Sequence, residues 1–266
     1  MTYSENRRNP MKEKRPTIAI VTGASSGMGR EFVYAIDRME LDEIWVIARR
    51  EDRLEALKDE CKTSIRAVPM DMAGRDWFQD FRGLLSAQNP HVSLLVNAAG
   101  CGLFGGFMEM DMERQLDIID LNDRALTAMC HMCIPYMSEG SSIVNLASNS
   151  SWQPVPYINV YGASKAYVMS FSRALGVELK SRGIHVMAVA PGWIKTEFFD
   201  HAVHDDTIKY YDRFYTARQV IDKAMKDLKR KKAVSILGLP VQAQVRAIKH
   251  LPVSLVMKIW CRQQGK

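Results

Sequence analysis

The run TIAIVTGASSGMG, Thr17 to Gly29, decides the fold. Its first residues are β-branched or small and apolar, as a buried strand requires, and Gly23 ends them. An amphipathic stretch through Phe32, Val33 and Ile36 follows at once with helical spacing. Between the two, Gly23, Gly27 and Gly29 permit a tight turn. They also let a pyrophosphate approach the N–H groups at the helix start, where the helix dipole favours negative charge. Ser25, Ser26 and Met28 fill the same loop, so this stretch is expected to bind a dinucleotide.

The alternation of short apolar runs with longer amphipathic stretches continues outward from this loop. EIWVIA (43–48) precedes a charged helix from Glu51. Further runs stand at 64–70, 92–98, 141–147, 184–190 and 233–238, which makes seven strand candidates. Right-handed crossovers and burial of both sheet faces then imply an α/β fold: a single Rossmann-like doubly wound domain, with a seven-stranded parallel sheet and helices on both faces. The domain is expected to cover residues 17–266, with a lid at about 197–216 and a C-terminal extension at about 239–266. Residues 1–16 read as a polar flexible segment. No Pro, Gly or Ser tract divides the chain after that, and no internal repeat is visible.

Of 266 residues, 47% are hydrophobic, which excludes a disordered chain, and 36 Lys and Arg against 30 Asp and Glu leave a net charge of +6. That charge favours an anionic partner: a phosphorylated cofactor, an acidic lipid surface or nucleic acid. No apolar run approaches the roughly 18 residues of a membrane span, and MTYSENRRNPMKEKRP lacks the apolar segment of a signal peptide. A cytoplasmic protein is expected. Five cysteines, an odd number in a chain of this size, are expected to be free thiols. CHMC (130–133) and HAVH (201–204) each offer two ligands and no obvious third, so no metal is expected.

YGASK, residues 161–165, puts a tyrosine and a lysine one helical turn apart on one face. Together with the GxxxGxG spacing of Gly23, Gly27 and Gly29, it resembles the short-chain dehydrogenase/reductase family. The likeness extends over roughly residues 17–238, through NAAG (97–100), Asn122 in DLND, the serine of NLAS and PGWIKT (191–196). The family's serine stands 13 residues before its tyrosine, which is Ser148 here. The resemblance implies Tyr161 as general acid in carbonyl reduction and base in alcohol oxidation, Ser148 as hydrogen-bond partner of the substrate oxygen, and Asn122 as support for a proton relay. Lys165 would lower the phenol's pKa from its ordinary value near 10 and hydrogen-bond the nicotinamide ribose.

The resemblance also assigns the cofactor contacts. Asp71 and Met72 fall where relatives touch adenine, and Asn97, Ala98 and Gly100 where they border the dinucleotide. Pro191, Gly192, Ile194 and Thr196 would lie under and beside the nicotinamide. Where an NAD site places an acid after the second strand, this chain reads Ala48, Arg49 and Arg50, and two guanidiniums suit a 2′-phosphate; the expected cofactor is NADP(H). Two departures stand out. Ala98 replaces the second asparagine of the usual NNAG, so other hydrogen bonds must hold that loop. Ser151 stands where a glycine often follows the serine, so the pocket wall should be remodelled.

Aromatic density in the lid, at Phe198, Phe199, Tyr210, Tyr211, Phe214 and Tyr215, fits either a bulky apolar substrate or rings that merely close the core. Trp152, Tyr157, Leu103 and Phe104 are candidates for the same pocket. The preferred reading is an NADP(H)-dependent oxidoreductase acting on a hydroxysteroid or bile-acid ketone, a ketoacyl lipid or an aromatic ketone. The alternative is a non-catalytic NADP(H)-sensing protein. Nucleic-acid binding is not expected. The C-terminal tail, with Leu251, Val253, Leu255, Val256, Ile259 and Trp260 among cations, reads as an apolar cap in preference to a membrane-surface element. The resemblance implies a homodimer or homotetramer built on the helices bearing Asn122 and Tyr161.

Overall fold

The protein was analysed as a computed structural model that describes residues 15–74, 76–203, 207–211 and 213–266. The first fourteen residues of the expected polar segment and His204 of HAVH lie outside the described residues. Six strands run in chain order: β1 (Thr17–Thr22), β2 (Glu43–Ala48), β3 (Ser64–Pro69), β4 (His91–Asn97), β5 (Ser142–Leu146) and β6 (His185–Val189). Two short strands, β7 (Trp193–Lys195) and β8 (Phe214–Thr216), pair with each other alone, and β9 (Val234–Ser235) completes the main sheet. The order is β3-β2-β1-β4-β5-β6-β9 and every pairing is parallel. The expected seven-stranded sheet is therefore present. Its last strand is shorter than the sequence suggested, because only Val234 and Ser235 find partners on β6 before the chain turns at Gly238.

Among the described residues ten helices accompany the strands: α1 (Gly27–Ile36), α2 (Glu51–Glu60), α3 (Trp77–Gln88), α4 (Met112–Ile119), α5 (Leu126–Cys133), α6 (Asn159–Glu178), α7 (Phe198–Ala202), α8 (Ala217–Lys229), α9 (Leu239–Ile248) and α10 (Val253–Gln263). Alternate strand residues face opposite sides, so continuous apolar strands feed two cores. Ile18, Ile20, Ile47 and Ile143 pack under α3, α5 and α6 through Phe81, Met129 and Val168. Ala19, Val21, Val46 and Val144 pack under α1, α2 and α8 through Phe32, Leu54 and Ile221. With both faces covered, the carboxyl ends of the strands are where a crevice remains, and the order reverses direction between β1 and β4.

Thr22, at the end of β1 and 1% exposed, ties this switch point together. Its Oγ1 accepts from Ala98 N and Ala99 N, each at 3.1 Å. This contact holds the loop in which Ala98 replaces the usual asparagine. Thr22→Val keeps the shape but leaves both amides without an acceptor. It should destabilise the protein by about 1–3 kcal/mol, read as a lower denaturant midpoint at unchanged slope, and Thr22→Ser should recover most of the loss.

Candidate active site

One cavity of about 920 Å³ opens along the carboxyl ends of the strands. After β1 the chain enters the glycine loop with Gly23 at φ +68°, where a Cβ would stand 2.7 Å from Ala99 N. At Gly29 a Cβ would sit 2.2 Å from Gly23 O, so the loop closes tightly on the start of α1. Ser26 occupies the N-cap of α1 without capping it through its side chain, which leaves the first-turn N–H groups available to an anion. Ser25, Met28 and the three glycines all line the cavity.

Beside this loop the Arg50 guanidinium donates to Ser25 Oγ at 3.1 Å, Ser26 Oγ at 2.8 Å and Glu197 Oε2 at 2.9 Å. Arg53 donates to the same carboxylate, at 2.7 Å to Oε1. These two hydrogen bonds hold Glu197 below the usual carboxylate range. Arg49 is exposed and also lines the cavity. Neither Arg53 nor Glu197 was singled out from the sequence. Arg53 follows Arg50 by about one helical turn, so the helix period could have suggested it, whereas nothing local marks Glu197. Asp71, Met72, Ala98, Gly100, Pro191, Gly192, Ile194 and Thr196 border the cavity as well.

Asn97 does not. Its amide is buried and donates to Asn145 Oδ1 at 2.8 Å and Cys130 Sγ at 3.3 Å, a polar contact inside the core that also accounts for the first cysteine of CHMC. Cys130 and Cys133 are buried thiols, and among the described residues no cluster of three His, Cys, Asp or Glu could hold a metal.

Ser148, Tyr161 and Lys165 line the same cavity. Ser148 stands just past β5 and caps the 3-10 turn Asn149–Trp152 by accepting from Ser150 N. Ser151 Oγ accepts from Ser148 N at 3.3 Å and donates to Lys165 O at 2.7 Å, so the residue that replaces a glycine binds the serine loop to α6. Lys165 is 6% exposed; its Nζ donates to Leu146 O at 2.8 Å and lies 5.7 Å from the centre of the Tyr161 ring. Burial lowers this lysine to about 8, with the Asp123 carboxylate opposing the shift, and burial raises Asp123 to about 7.

The phenol differs from expectation. Burial pushes Tyr161 up to about 12, against a weaker opposing effect of the Ser148 hydroxyl. Desolvation of the phenolate sets the direction here, and the Lys165 ammonium, 5.7 Å from the ring centre, donates to the Leu146 carbonyl and not to the phenol. Asn122 also differs. It lies in the π turn Asp120–Ala125 between α4 and α5, and its side chain accepts from Cys101 N and donates to Cys101 O and Ser164 Oγ. All its polar atoms are thus engaged by protein, behind the Gly100–Cys101 loop. It meets Lys165 only across Gly100, where a Cβ would lie 3.0 Å from Asn122 Oδ1 and 3.4 Å from Lys165 Nζ.

The lid aromatics divide. Phe198, Phe199 and Tyr210 line the cavity; Tyr211 and Phe214 stack behind them on Phe199, and Tyr215 joins the core beneath α1 and α8. Leu103 and Phe104 are buried in packing clusters, and neither they nor Trp152 nor Tyr157 border the cavity. Their places are taken by the C-terminal extension, through Ile248, Leu251, Ile259 and Trp260. Trp260 Nε1 donates to Pro156 O at 3.0 Å, and Gln264 Oε1 accepts from Lys209 N and Tyr210 N, both at 2.9 Å.

Comparison with known proteins places this arrangement. The family model described as short chain dehydrogenase matches residues 17–207. Sulfoacetaldehyde reductase 2 of Chromohalobacter salexigens is 35% identical over 190 residues, covering 68% of this chain and 74% of that protein. The NADP-dependent 3-hydroxy acid dehydrogenase YdfG of Salmonella typhi is 32% identical over 188 residues, covering 68% and 74%. Among solved structures, a short-chain dehydrogenase from Sphingobium yanoikuyae in complex with NADPH superposes with a TM-score of 0.75 at 28% identity, over 91% of this chain and 95% of that one.

Gln264, 1% exposed, caps two consecutive amides, those of Lys209 and Tyr210. Gln264→Ala should raise hydrogen exchange at Lys209 and Tyr210 by about tenfold or more, while amides of β1 and β4 keep their protection.

Proposed function

The chain belongs to the short-chain dehydrogenase family, and from that premise we propose that it is an NADP(H)-dependent oxidoreductase interconverting a ketone and a secondary alcohol on a fairly bulky apolar substrate. The observation that carries this reading is that Ser148, Tyr161 and Lys165 border one cavity together with the glycine loop and Arg50. The residues present fit a phosphorylated dinucleotide. The uncapped start of α1 suits its pyrophosphate, and Arg49, Arg50 and Arg53 suit a 2′-phosphate. Asp71 and Met72 would border the adenine, and Gly192, Ile194 and Thr196 the nicotinamide. Bound there, the cofactor supplies or accepts the hydride.

The chain's own residues govern the proton. With a pKa near 12, Tyr161 holds its proton at Oη throughout the neutral range and is ready to give it to a carbonyl oxygen, which favours reduction. Ser148 Oγ aims a second donor at the same oxygen as charge develops on it. Lys165, held by the Leu146 carbonyl, keeps a positive charge beside the phenol below about pH 8. Phe198, Phe199 and Trp260 exclude water and support an apolar substrate, and the C-terminal helices that complete this wall lie beyond the residues matched by the family model. Exposed apolar side chains on α4 and α6, including Met112, Leu116 and Val177, support the homodimer or homotetramer reading. No helix among the described residues is long and apolar enough to cross a membrane.

The reading is tested by following NADPH and NADH oxidation against steroid, bile-acid, ketoacyl and aromatic ketones. Turnover with NADPH on one class is expected. Tyr161→Phe should lower it by about a thousandfold or more with NADPH affinity unchanged; a variant as active as the wild type would remove the assigned role. A second expectation concerns pH. Because burial depresses Lys165 to about 8 while Tyr161 stays protonated, kcat/KM for reduction should fall as pH rises through about 8 and the lysine loses its charge. Asp123→Asn removes the carboxylate that opposes the shift, so the falling limb should move to lower pH. A limb that stays in place contradicts the assignment.

A further inference from the structure

On the far side of the serine loop from the cavity lies a groove of about 180 Å³ between α6, α8, β9 and α9. Its centre is Trp152, the last residue of the 3-10 turn that Ser148 caps. Arg173 Cζ stands 4.8 Å and Lys249 Nζ 4.2 Å from the centre of this one indole ring. Arg246 lines the same groove. Among the described residues, no carboxylate pairs with any of these three cations. Lys223 and Lys232 add two more, both fixed by Asp227, which is 1% exposed and also accepts from Ser235 Oγ at 2.9 Å. The groove lining thus holds five cations and one carboxylate, and that carboxylate pairs with only two of them.

Like charges gathered in a concave site repel one another unless an anion lies between them. Here the ring and the buried carboxylate hold the cations in place before any ligand arrives, so an incoming anion meets a preformed set of donors. We propose that this groove is a second binding site, separate from the catalytic cavity, for a small phosphate-bearing dianion. Its volume suits a phosphate or pyrophosphate group and falls below the roughly 300 Å³ at which sites for drug-sized ligands begin. The ligand is either a soluble phosphate compound or the headgroup of an acidic phospholipid. Because α9 lines both the groove and the catalytic cavity, with Val245 bordering each, and Trp152 ends the turn that Ser148 caps, occupancy bears on both walls of the active site.

Pyrophosphate also fits the glycine loop, so the titration is run by calorimetry on full-length protein saturated with NADPH. A parallel arm sediments the protein with phosphatidylcholine vesicles with and without phosphatidic acid. Wild type should bind at least one probe. Arg173→Gln with Lys249→Gln should weaken that binding on the order of a hundredfold. The control Lys229→Gln with Arg230→Gln, which removes the same charge from outside the groove, should bind as wild type does. The probe retained names the source of the phosphate. The site is overturned if wild type binds neither probe, if the groove variant binds like wild type, or if the control loses as much.

Discussion

A parallel sheet satisfies its backbone within itself and must be covered on both faces, and the position of the main cavity follows from that constraint. The strands are filled with Ile, Val and Ala, and the helices beside them with Phe, Leu and Met, so the two sheet faces themselves offer no place for a dinucleotide. What is left is the line where the strands run out. The glycine loop, the Arg49–Arg50 pair, Asp71, the Ala98–Gly100 loop, Ser148 and the Pro191–Gly192 turn lie along it because each is the first segment free of the sheet. Thr22 shows how narrow the margin is. One hydroxyl supplies acceptors to two loop amides at the point where the sheet reverses direction.

The chemistry at that line is set by desolvation more than by pairing. A phenol and an ammonium one turn apart were expected to settle their charges between them. Instead each is shifted by burial toward its neutral form, Tyr161 upward and Lys165 downward, and the ammonium takes a backbone carbonyl as its partner. Asp123, buried nearby and itself raised to about 7, is the group that keeps the lysine from shifting further. Tyr161 and Lys165 thus line the cavity with displaced ranges, the lysine brought close to neutral pH, while Asp123 acts on the lysine from outside the cavity lining.

Most of the fold was legible because its signals are local. Strand, glycine turn and helix succeed one another within a few residues, and YGASK needs only the helical period to bring its ends together. What could not be read was orientation and long-range closure. Nothing in NAAG tells that Asn97 turns inward to Asn145 while its neighbours face the cavity. Asn122 was found by resemblance, but its engagement by Cys101 and Ser164 depends on a π turn that the sequence does not announce. The cavity's apolar wall comes from residues 248–260, far along the chain from the motifs, and Trp152 was assigned to the wrong side of its own loop for the same reason.

Glu197 lies one residue past Thr196, at the root of the lid, and its carboxylate is held by Arg50 from the β2–α2 junction and by Arg53 from α2. Arg50 and Arg53, two of the three cations that the proposed function assigns to a 2′-phosphate, are therefore also the ones that hold Glu197. Two anions cannot fully share those guanidiniums, so under the proposed function phosphate affinity and the position of Glu197 would be linked, and by reciprocity each would set the other to the same extent. A cofactor lacking the phosphate leaves the mooring intact. The preference between the two nicotinamide dinucleotides would then depend on the segment that follows Thr196 as well as on the pocket proposed for the adenosine.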